Sequence, residues 1–369
     1  MSRVAIVILN WNGSDMLQKF LPTLVEHTAI NGVEIIVADN NSTDNSMQMM
    51  QERFPQIRRI VLDDNYGFAG GYNRALQQVE AEYYLLLNSD IEVTEGWLEP
   101  MLSYMDAHGE IAACQPKLID YKDPEKFEYA GGAGGFMDRW GYMYCRGRVF
   151  DTVEKDNGQY DSVASLFWAT GACLLVRSVD YWAVGGLDDK FFAHQEEIDL
   201  CWRLRSRNRG IVAIPQSRVL HVGGATLNSS NPYKTFLNFR NNLLLLYKNL
   251  PERELKKVMF VRFWLDLVAA LVFLLKLEFG NFKAVFRARR EFRRMKPEFA
   301  DKRAENISKT VLENIPERSG SFKLYLNKRQ TVNQQGNIIT VYVFANNRGL
   351  MSNLEDILCV VIIEERQIN

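Results

Sequence analysis

The chain has no excess of charge of either sign: 44 lysines and arginines stand against 45 acidic residues in 369. That balance removes any global reason to expect a polyanion such as nucleic acid as partner. Paired cysteines are also missing. The five present, Cys114, Cys145, Cys173, Cys201 and Cys359, are scattered without a CxxC spacing, which argues against a zinc or redox pair and for buried reduced thiols. There is no GxGxxG fingerprint, so a nicotinamide cofactor is not indicated, and no internal repeat. No uncharged apolar run is long enough to cross a bilayer. Met259 to Phe279 has the length but contains Arg262, Asp266, Lys276 and Glu278, leaving only Leu267 to Leu275 uncharged. At the N-terminus, Val4 to Leu9 is too short for a signal-peptide core and has no small-residue cleavage site after it. It reads as the first strand of a cytoplasmic protein.

What is present is a chain 47% hydrophobic and 24% charged, enough for one large globular domain with an extension. The apolar runs Val4 to Leu9, Val33 to Ala38 and Tyr83 to Leu87 are separated by helical patterns such as Asp15 to Glu26. Strands apolar throughout suit an α/β sheet covered on both faces. Ligands collect at the C-terminal ends of such strands, which here read Asn10-Trp11-Asn12-Gly13, Asp39-Asn40-Asn41-Ser42 and Asn88-Ser89-Asp90. From Ile91 to Asp161 the pattern loosens into an expected irregular insertion with hairpins. Order resumes with Phe167 to Val176 and a helix near Glu196 to Arg207.

The polar strand ends supply candidate chemistry. Asp39 precedes Ser42 and Thr43, which are better placed to cap a helix, and so is expected to be free to accept from a base or a ribose. Asp90 at the mouth of the sheet can ligate a hard divalent ion that also binds a diphosphate. Asn65, Gly67, Phe68 and Asn73 lie in a glycine-rich stretch before a helix, where backbone N–H groups meet anions or sugar hydroxyls. Glu196, Glu197 and Asp199 open a helix after Phe191-Phe192. They read equally as partners of the helix dipole or as a general base in a partly dry cleft. His221, between a probable strand and two glycines, is as compatible with a structural role as with metal or phosphate contact.

Taken in order, these segments resemble the family 2 glycosyltransferases of the GT-A fold, particularly their rhamnosyltransferase-like branch, over roughly Val4 to Lys248. The resemblance implies a Rossmann-like mixed sheet flanked by helices, with Asn10, Asn12, Asp39, Asn65, Gly67, Phe68, Asn73, Asn88 and Asp90 on a nucleotide-diphosphate sugar donor. It makes Asn88 to Asp90 the counterpart of the metal-binding Asp-x-Asp element, with His221 as the late histidine at the metal, Mg2+ or Mn2+. The family's Glu-Asp-x-Asp falls on Glu196 to Asp199, so Glu197 stands where an aspartate is usual and becomes the implied base. Trp168 and Gly171 would wall the acceptor. The implied reaction is an inverting transfer, of rhamnose as the leading sugar, to a saccharide or lipid-linked saccharide in cell-surface polysaccharide synthesis.

Two other classes share part of this pattern. A sugar nucleotidyltransferase would want a basic, glycine-rich loop after the first strand, and Asn10 to Gly13 carries no basic residue; a non-catalytic nucleotide-sugar-binding module would keep the fold without the base. The expected division is a catalytic domain over 1–250, a helical, membrane-associating extension over 251–330 and a tail over 331–369. In the extension, the apolar helix is followed by Lys283, Arg287, Arg289, Arg290, Arg293, Arg294 and Lys296, opposed within that stretch only by Glu291. That order suits an anionic membrane surface at the inner face of the cytoplasmic membrane. In the tail, Ile338 to Phe344 and Ile357 to Ile363 are strand-like.

Overall fold

The computed structural model describes residues 2–149, 152–223 and 231–309, together with the backbone of three short strands beyond them. The apolar runs form the centre of a mixed sheet. Its strands are β1 (Ser2–Asn10), β2 (Val33–Asp39), β3 (Arg58–Val61), β4 (Ala81–Leu87), β5 (Ile91–Val93) and β6 (Ile111–Asp120), with β11 (Ala164–Ser165), β12 (Cys173–Arg177) and β13 (Gly210–His221). The order is β11-β13-β6-β12-β4-β1-β2-β3, with β5 beside β13. β1 runs parallel to β2 and β4, with Asn10 opposite Asp39 and Ile8 opposite Leu87. The three polar strand ends therefore open on one edge.

Alternation along each strand fills both faces. Val4, Ile6 and Ile8 point with Tyr83 and Leu85 into one core. Ala5 and Val7 point with Tyr84 and Leu86 into the other, as the period of two requires. The first core is closed by α1 (Ser14–His27), α2 (Ser46–Arg53) and α4 (Glu99–Ala107); the second by α3 (Gly67–Leu76), α5 (Ser178–Ala183), α6 (Glu196–Arg205) and α7 (Pro232–Asn249). Cys114, Cys145, Cys173 and Cys201 are buried free thiols, as expected; Cys359 lies outside the described residues.

The stretch Ile91 to Asp161 is more regular than its sequence implied. It holds α4 and the ten-residue β6, all but its last residue buried, between β13 and β12 in the middle of the sheet. Gln115, Pro116 and Lys117 interrupt the apolar run there and hide the strand from a search for continuous hydrophobicity. The expected hairpins follow, with β7 (Gly135–Met137) paired to β8 (Met143–Cys145) and β9 (Arg148–Val149) paired to β10 (Thr152–Val153).

Three more helices, α8 (Glu252–Leu275), α9 (Phe279–Met295) and α10 (Ala300–Lys309), continue directly from α7. α8 turns two of its charges inward. Arg262 and Asp266, four residues apart as the helix period requires, are both buried and paired at 3.3 Å, and Arg289 of α9 joins Asp266 from the other side. Arg289 is thus withdrawn from the basic surface expected of α9, and Arg294 pairs with Glu291 at 2.6 Å. The outward face of α8 is apolar, with Phe260, Trp264 and Leu271 exposed. α10 returns to the end of α7, where Arg303 donates to the carbonyl of Leu250 at 2.6 Å. Farther on, β14 (Arg329–Val332), β15 (Ile338–Tyr342) and β16 (Ile362–Arg366) pair as an antiparallel sheet. Of the first strand-like run expected in the tail, Ile338–Tyr342 form β15 and the last two residues lie outside the described ones; of the second, only Ile362 and Ile363 are described, both in β16.

Asp266→Ala would leave Arg262 and Arg289 facing each other without their carboxylate. A loss of about 3–5 kcal/mol in folding stability is expected, read as a drop in the urea midpoint. Phe260→Ser on the exposed face of the same helix should change stability by about 0.5 kcal/mol or less.

Candidate functional site

The edge where β1, β2 and β4 end is braced by its own polar residues. Asn10 is buried and donates to Asp39 Oδ1 at 2.9 Å and to Ser42 Oγ at 3.1 Å. Asp39 Oδ2 accepts from the N–H of Ser42 at 3.0 Å. The expectation that Ser42 or Thr43 would cap the helix and leave Asp39 free is therefore corrected: Asp39 braces this turn, and Asp44 receives the N–H groups of Ser46 and Ser14 at the starts of α2 and α1. Each Asp39 oxygen has one such partner, so lone pairs remain for a further donor. Asn12, at φ 52°, accepts from the N–H groups of Thr43 and Asp44.

The glycine-rich stretch becomes the first turns of α3. Asn65 Oδ1 accepts from Gly67 N–H at 2.9 Å. Gly67 has φ +69°, and a Cβ there would lie 2.5 Å from the Phe192 ring, so this position needs glycine. Phe68 donates its N–H to the Phe192 carbonyl at 2.7 Å. Asn73, expected on the donor, is spent inside the protein: its amide donates to the Leu187 carbonyl at 2.7 Å and accepts from Tyr181 and from Leu187 N–H.

The three acids of α6 divide. Asp199 is wholly buried and bound by Arg203 and Lys248, each at 2.8 Å, and by Asn249 at 2.9 Å, so the structure does not leave it available as a base. Glu196 and Glu197 each have an Oε2 that is buried without a hydrogen-bond partner among the described residues. Burial is the largest influence on both. It pushes Glu196 well above the usual range, reinforced by the charge of Glu197, and pushes Glu197 up to about 7 against three backbone N–H groups that favour its anion.

The loop before these acids is strained. Phe192, His194 and Gln195 have φ of +66°, +70° and +72°, a left-handed conformation that side chains avoid. α7 holds it there, with Asn241 donating to the carbonyls of Phe191, Ala193 and His194 and the Gln195 amide donating to the Asn238 carbonyl. Burial also keeps His194 neutral, its pKa lowered to about 4.

Gly171 joins the two halves of the site. A Cβ on it would stand 3.3 Å from the Phe68 ring and 3.5 Å from Glu197 Cβ. Its neighbour Ala172 accepts the N–H of Asn88 at 2.9 Å. Trp168, expected to face an acceptor, is instead 6% exposed, with its indole N–H donated to the Phe136 carbonyl at 2.8 Å. It supports the wall from behind.

Asp90 and His221, far apart in sequence, meet at 3.2 Å between Oδ1 and Nε2, because β5 pairs with β13 and places Ile91 opposite His221. The other ring nitrogen faces Glu128 at 3.4 Å. Burial works against charge on the ring, but the two carboxylates outweigh it and push the imidazole up to about 10. Asp90 is lowered: burial raises it, while His221 and backbone N–H groups bring it down further. A divalent ion with ligands about 2.1 Å away holds adjacent donors about 3 Å apart, so Asp90 and His221 fit as two ligands of mixed oxygen and nitrogen character. Glu128 meets the opposite side of the ring, where it can orient the imidazole but not share its ion. Among the described residues no group of three or more candidate ligands forms a complete cage, so phosphate oxygens or water would supply the rest. The sequence reading missed Glu128 and the left-handed loop, since neither belongs to a polar strand end.

Residues 5–153 match the family described as glycosyl transferase family 2. The N-acetylglucosaminyl-diphospho-decaprenol L-rhamnosyltransferase of Mycobacterium tuberculosis (strain CDC 1551 / Oshkosh) is 25% identical over 234 residues, covering 58% of this chain and 75% of that protein. Among solved structures, GalNAc-T7 with UDP, GalNAc and Mn2+ aligns with a TM-score of 0.53 at 14% identity, over 67% of this chain and 48% of that one. TarS of S. aureus aligns with a TM-score of 0.53 at 14% identity, over 84% and 54%. The chain thus spans about half of each solved structure, and the likeness shows the fold, which is GT-A.

The buried Glu197 makes stability depend on pH. Below its ordinary value of 4.5 the folded and unfolded chains both hold the proton. Between there and about 7 only the unfolded chain releases it, so stability falls as pH rises and the penalty is complete above about 7. Glu197→Gln should therefore stabilise the fold at pH 8 by on the order of 2–3 kcal/mol, and bring no gain at pH 4 when denaturant midpoints are compared.

Proposed function

We propose that this chain, which matches glycosyl transferase family 2 over residues 5–153 and resembles its rhamnosyltransferase-like branch, transfers a sugar, with inversion, from a nucleoside diphosphate to a lipid-linked saccharide in cell-surface glycan synthesis. The observation that carries the reading is the buried Oε2 of Glu197, without a hydrogen-bond partner among the described residues, beside Gly171. That glycine touches the donor loop at Phe68, and the next residue binds the strand end that leads to Asp90. A base with pKa near neutrality and a diphosphate-binding edge are what a single displacement needs.

In this mechanism Asn10 and Ser42 hold Asp39 towards the base or ribose, and α3 presents N–H groups to the donor. Glu197 takes the proton of the acceptor hydroxyl as that oxygen bonds to the anomeric carbon. The bond from that carbon to the diphosphate breaks on the opposite side, and its electron pair leaves with the diphosphate. Burial and the charge of Glu197 hold the Glu196 carboxyl well above its usual range, which favours its neutral form beside the base. A divalent ion held by Asp90 and His221 would neutralise the leaving diphosphate; in the fold neighbour GalNAc-T7 the bound ion is Mn2+, with UDP. The lipid-linked acceptor follows the name of the mycobacterial relative, as does rhamnose.

The division near residue 250 separates the catalytic part from helices proposed to rest on an anionic membrane at the cytoplasmic face. α8 is the one helix among the described residues long and apolar enough to cross a bilayer, yet its buried Arg262 and Asp266 belong to the protein interior. A surface-lying role suits a helix with Arg262 and Asp266 inward and Phe260, Trp264 and Leu271 outward.

Glu197→Gln should retain donor binding and lose about 10²–10⁴-fold in transfer rate, while wild-type kcat/KM should rise with pH and level off above about 7. Asp90→Ala should abolish the manganese dependence of nucleotide-sugar binding measured by calorimetry. Full transfer by the first variant would assign the base elsewhere, and intact manganese dependence in the second would remove the metal from this edge. For the membrane, Phe260→Ser with Trp264→Ser should release the protein from phosphatidylglycerol vesicles in a flotation assay. Flotation equal to wild type would exclude the α8 face as the contact.

A further inference from the structure

The described residues hold another concave site, away from the sheet edge. A groove of about 450 Å³ lies between the first turn of α7 and α9, walled by Tyr233, Phe236, Phe282 and Phe286 and bordered by Lys283, Arg287 and Arg290. We propose that this groove binds the prenyl diphosphate of the acceptor, holding phosphate oxygens on the three cations and the first isoprene units between the aromatic rings. The proposal rests on the lipid-linked acceptor advanced above and names where its anchor sits.

The three cations are not spent on the fold. Their neighbours on the same helix, Arg289 and Arg294, have carboxylate partners in Asp266 and Glu291. Lys283, Arg287 and Arg290 have no ion pair with a described carboxylate, and they fall at i, i+4 and i+7, on one face of the helix over about 10 Å. Arg287 stacks over the Phe236 ring at 4.4 Å, which fixes its guanidinium at the groove wall without neutralising it. Like charges gathered this closely repel one another until an anion arrives.

The chemistry of the walls narrows that anion. A free phosphate has no use for four aromatic rings, and a neutral lipid has none for three cations. A phosphorylated isoprenoid uses both. The turn from α8 to α9, next to the groove, exposes Leu275, Leu277 and Phe279 at 60%, 72% and 53%, giving an apolar route from a bilayer to the groove. A Cβ on Gly280 would meet Pro232 Cγ at 2.7 Å, so the two helices touch there and the groove is built by their contact. One wall is α7, the helix whose Asn238, Asn241 and Asn242 hold the loop leading to Glu197. The anchor site and the proposed base are therefore positioned by one rigid element.

The test uses the full chain, with farnesyl diphosphate as probe beside farnesol, inorganic diphosphate and phosphatidylglycerol vesicles. Wild-type protein should bind farnesyl diphosphate more tightly than either half-molecule. Lys283→Gln, Arg287→Gln and Arg290→Gln together should weaken that binding by about tenfold or more, as loss of charge-assisted contacts predicts. Unchanged affinity in this variant overturns the proposal. Inorganic diphosphate binding as tightly as the prenyl compound reduces the groove to an anion site and also overturns it, as does loss of vesicle binding with farnesyl diphosphate binding intact. Should the triple variant fold poorly, Lys283→Glu and Arg290→Glu, both at exposed positions, should each weaken the probe, and full affinity in both likewise overturns the proposal. Nucleotide-sugar hydrolysis by the wild-type protein reports on the sheet edge alone, so failure of the catalytic reading and failure of the groove appear in separate assays.

Discussion

Asp199 is the point on which the catalytic helix turns. A carboxylate with no exposure has to be matched by charge and hydrogen bonds or it unfolds its surroundings, and here the match comes from Arg203 on its own helix and from Lys248 and Asn249 on α7. Lys248 also reaches Asp188, whose other oxygen takes Lys302 of α10. Burial would raise the Asp188 carboxyl, but these two ammonium groups hold it far below its usual range. The network therefore ties α6, the loop before it, α7 and the last described helix into one unit. It also explains how three acids within four residues behave so differently: one neutralises a buried cationic cluster, leaving the other two at the start of the helix, each with one buried oxygen without a partner.

The strained loop is the complement of that network. Three side-chain-bearing residues in the left-handed region cost free energy that only external constraint can hold, and Asn241 alone supplies three of the restraining hydrogen bonds. Their effect is local and chemical. Gln195 ends the loop at the first turn of α6, and Phe192 supplies the carbonyl that fixes the N–H of Phe68 and the ring that forbids a side chain at Gly67. Donor loop and base are thus coupled through one segment. Sugar transfer depends on such coupling, because attack at the anomeric carbon tolerates little misplacement of the base relative to the donor.

Part of α8 inverts the usual distribution of polarity. The Arg262–Asp266–Arg289 cluster lies in the interior, while Phe260, Trp264 and Leu271 face outward. Arg262 does not read as a membrane-facing charge once its partners Asp266 and Tyr142 are known, and Arg289 leaves the basic surface for the same reason. Of the cations that remain outside, which include Arg293 and Lys296, Lys283, Arg287 and Arg290 are gathered on one face beside aromatic rings. A surface of this kind suits a substrate that is itself half lipid and half anion.

Local pattern alone was enough to determine the parallel core strands, the polar strand ends with Asn10, Asp39 and Asp90, and the acidic start of the helix that carries Glu197. Each is written in a few consecutive residues whose periodicity or position has one physical reading. Pairing between distant segments decided the rest. β6 was hidden because its centre is polar, and the partners of Gln115 and Lys117, the N–H of Thr170 and the carboxylates of Asp156 and Asp161, come from elsewhere in the chain. Asp39 was read as free, yet Asn10 at the end of β1 and the N–H of Ser42 engage one of its oxygens each. Asn73, Trp168 and Asp199 carry the right chemistry at the right spacing, but their partners Leu187, Phe136 and Lys248 come from elsewhere in the chain. The meeting of Asp90, His221 and Glu128 depends on β5 lying against β13, which joins residues 131 positions apart. A hydrogen bond or an ion pair is settled by which groups arrive within about 3 Å, and only the folded chain determines that.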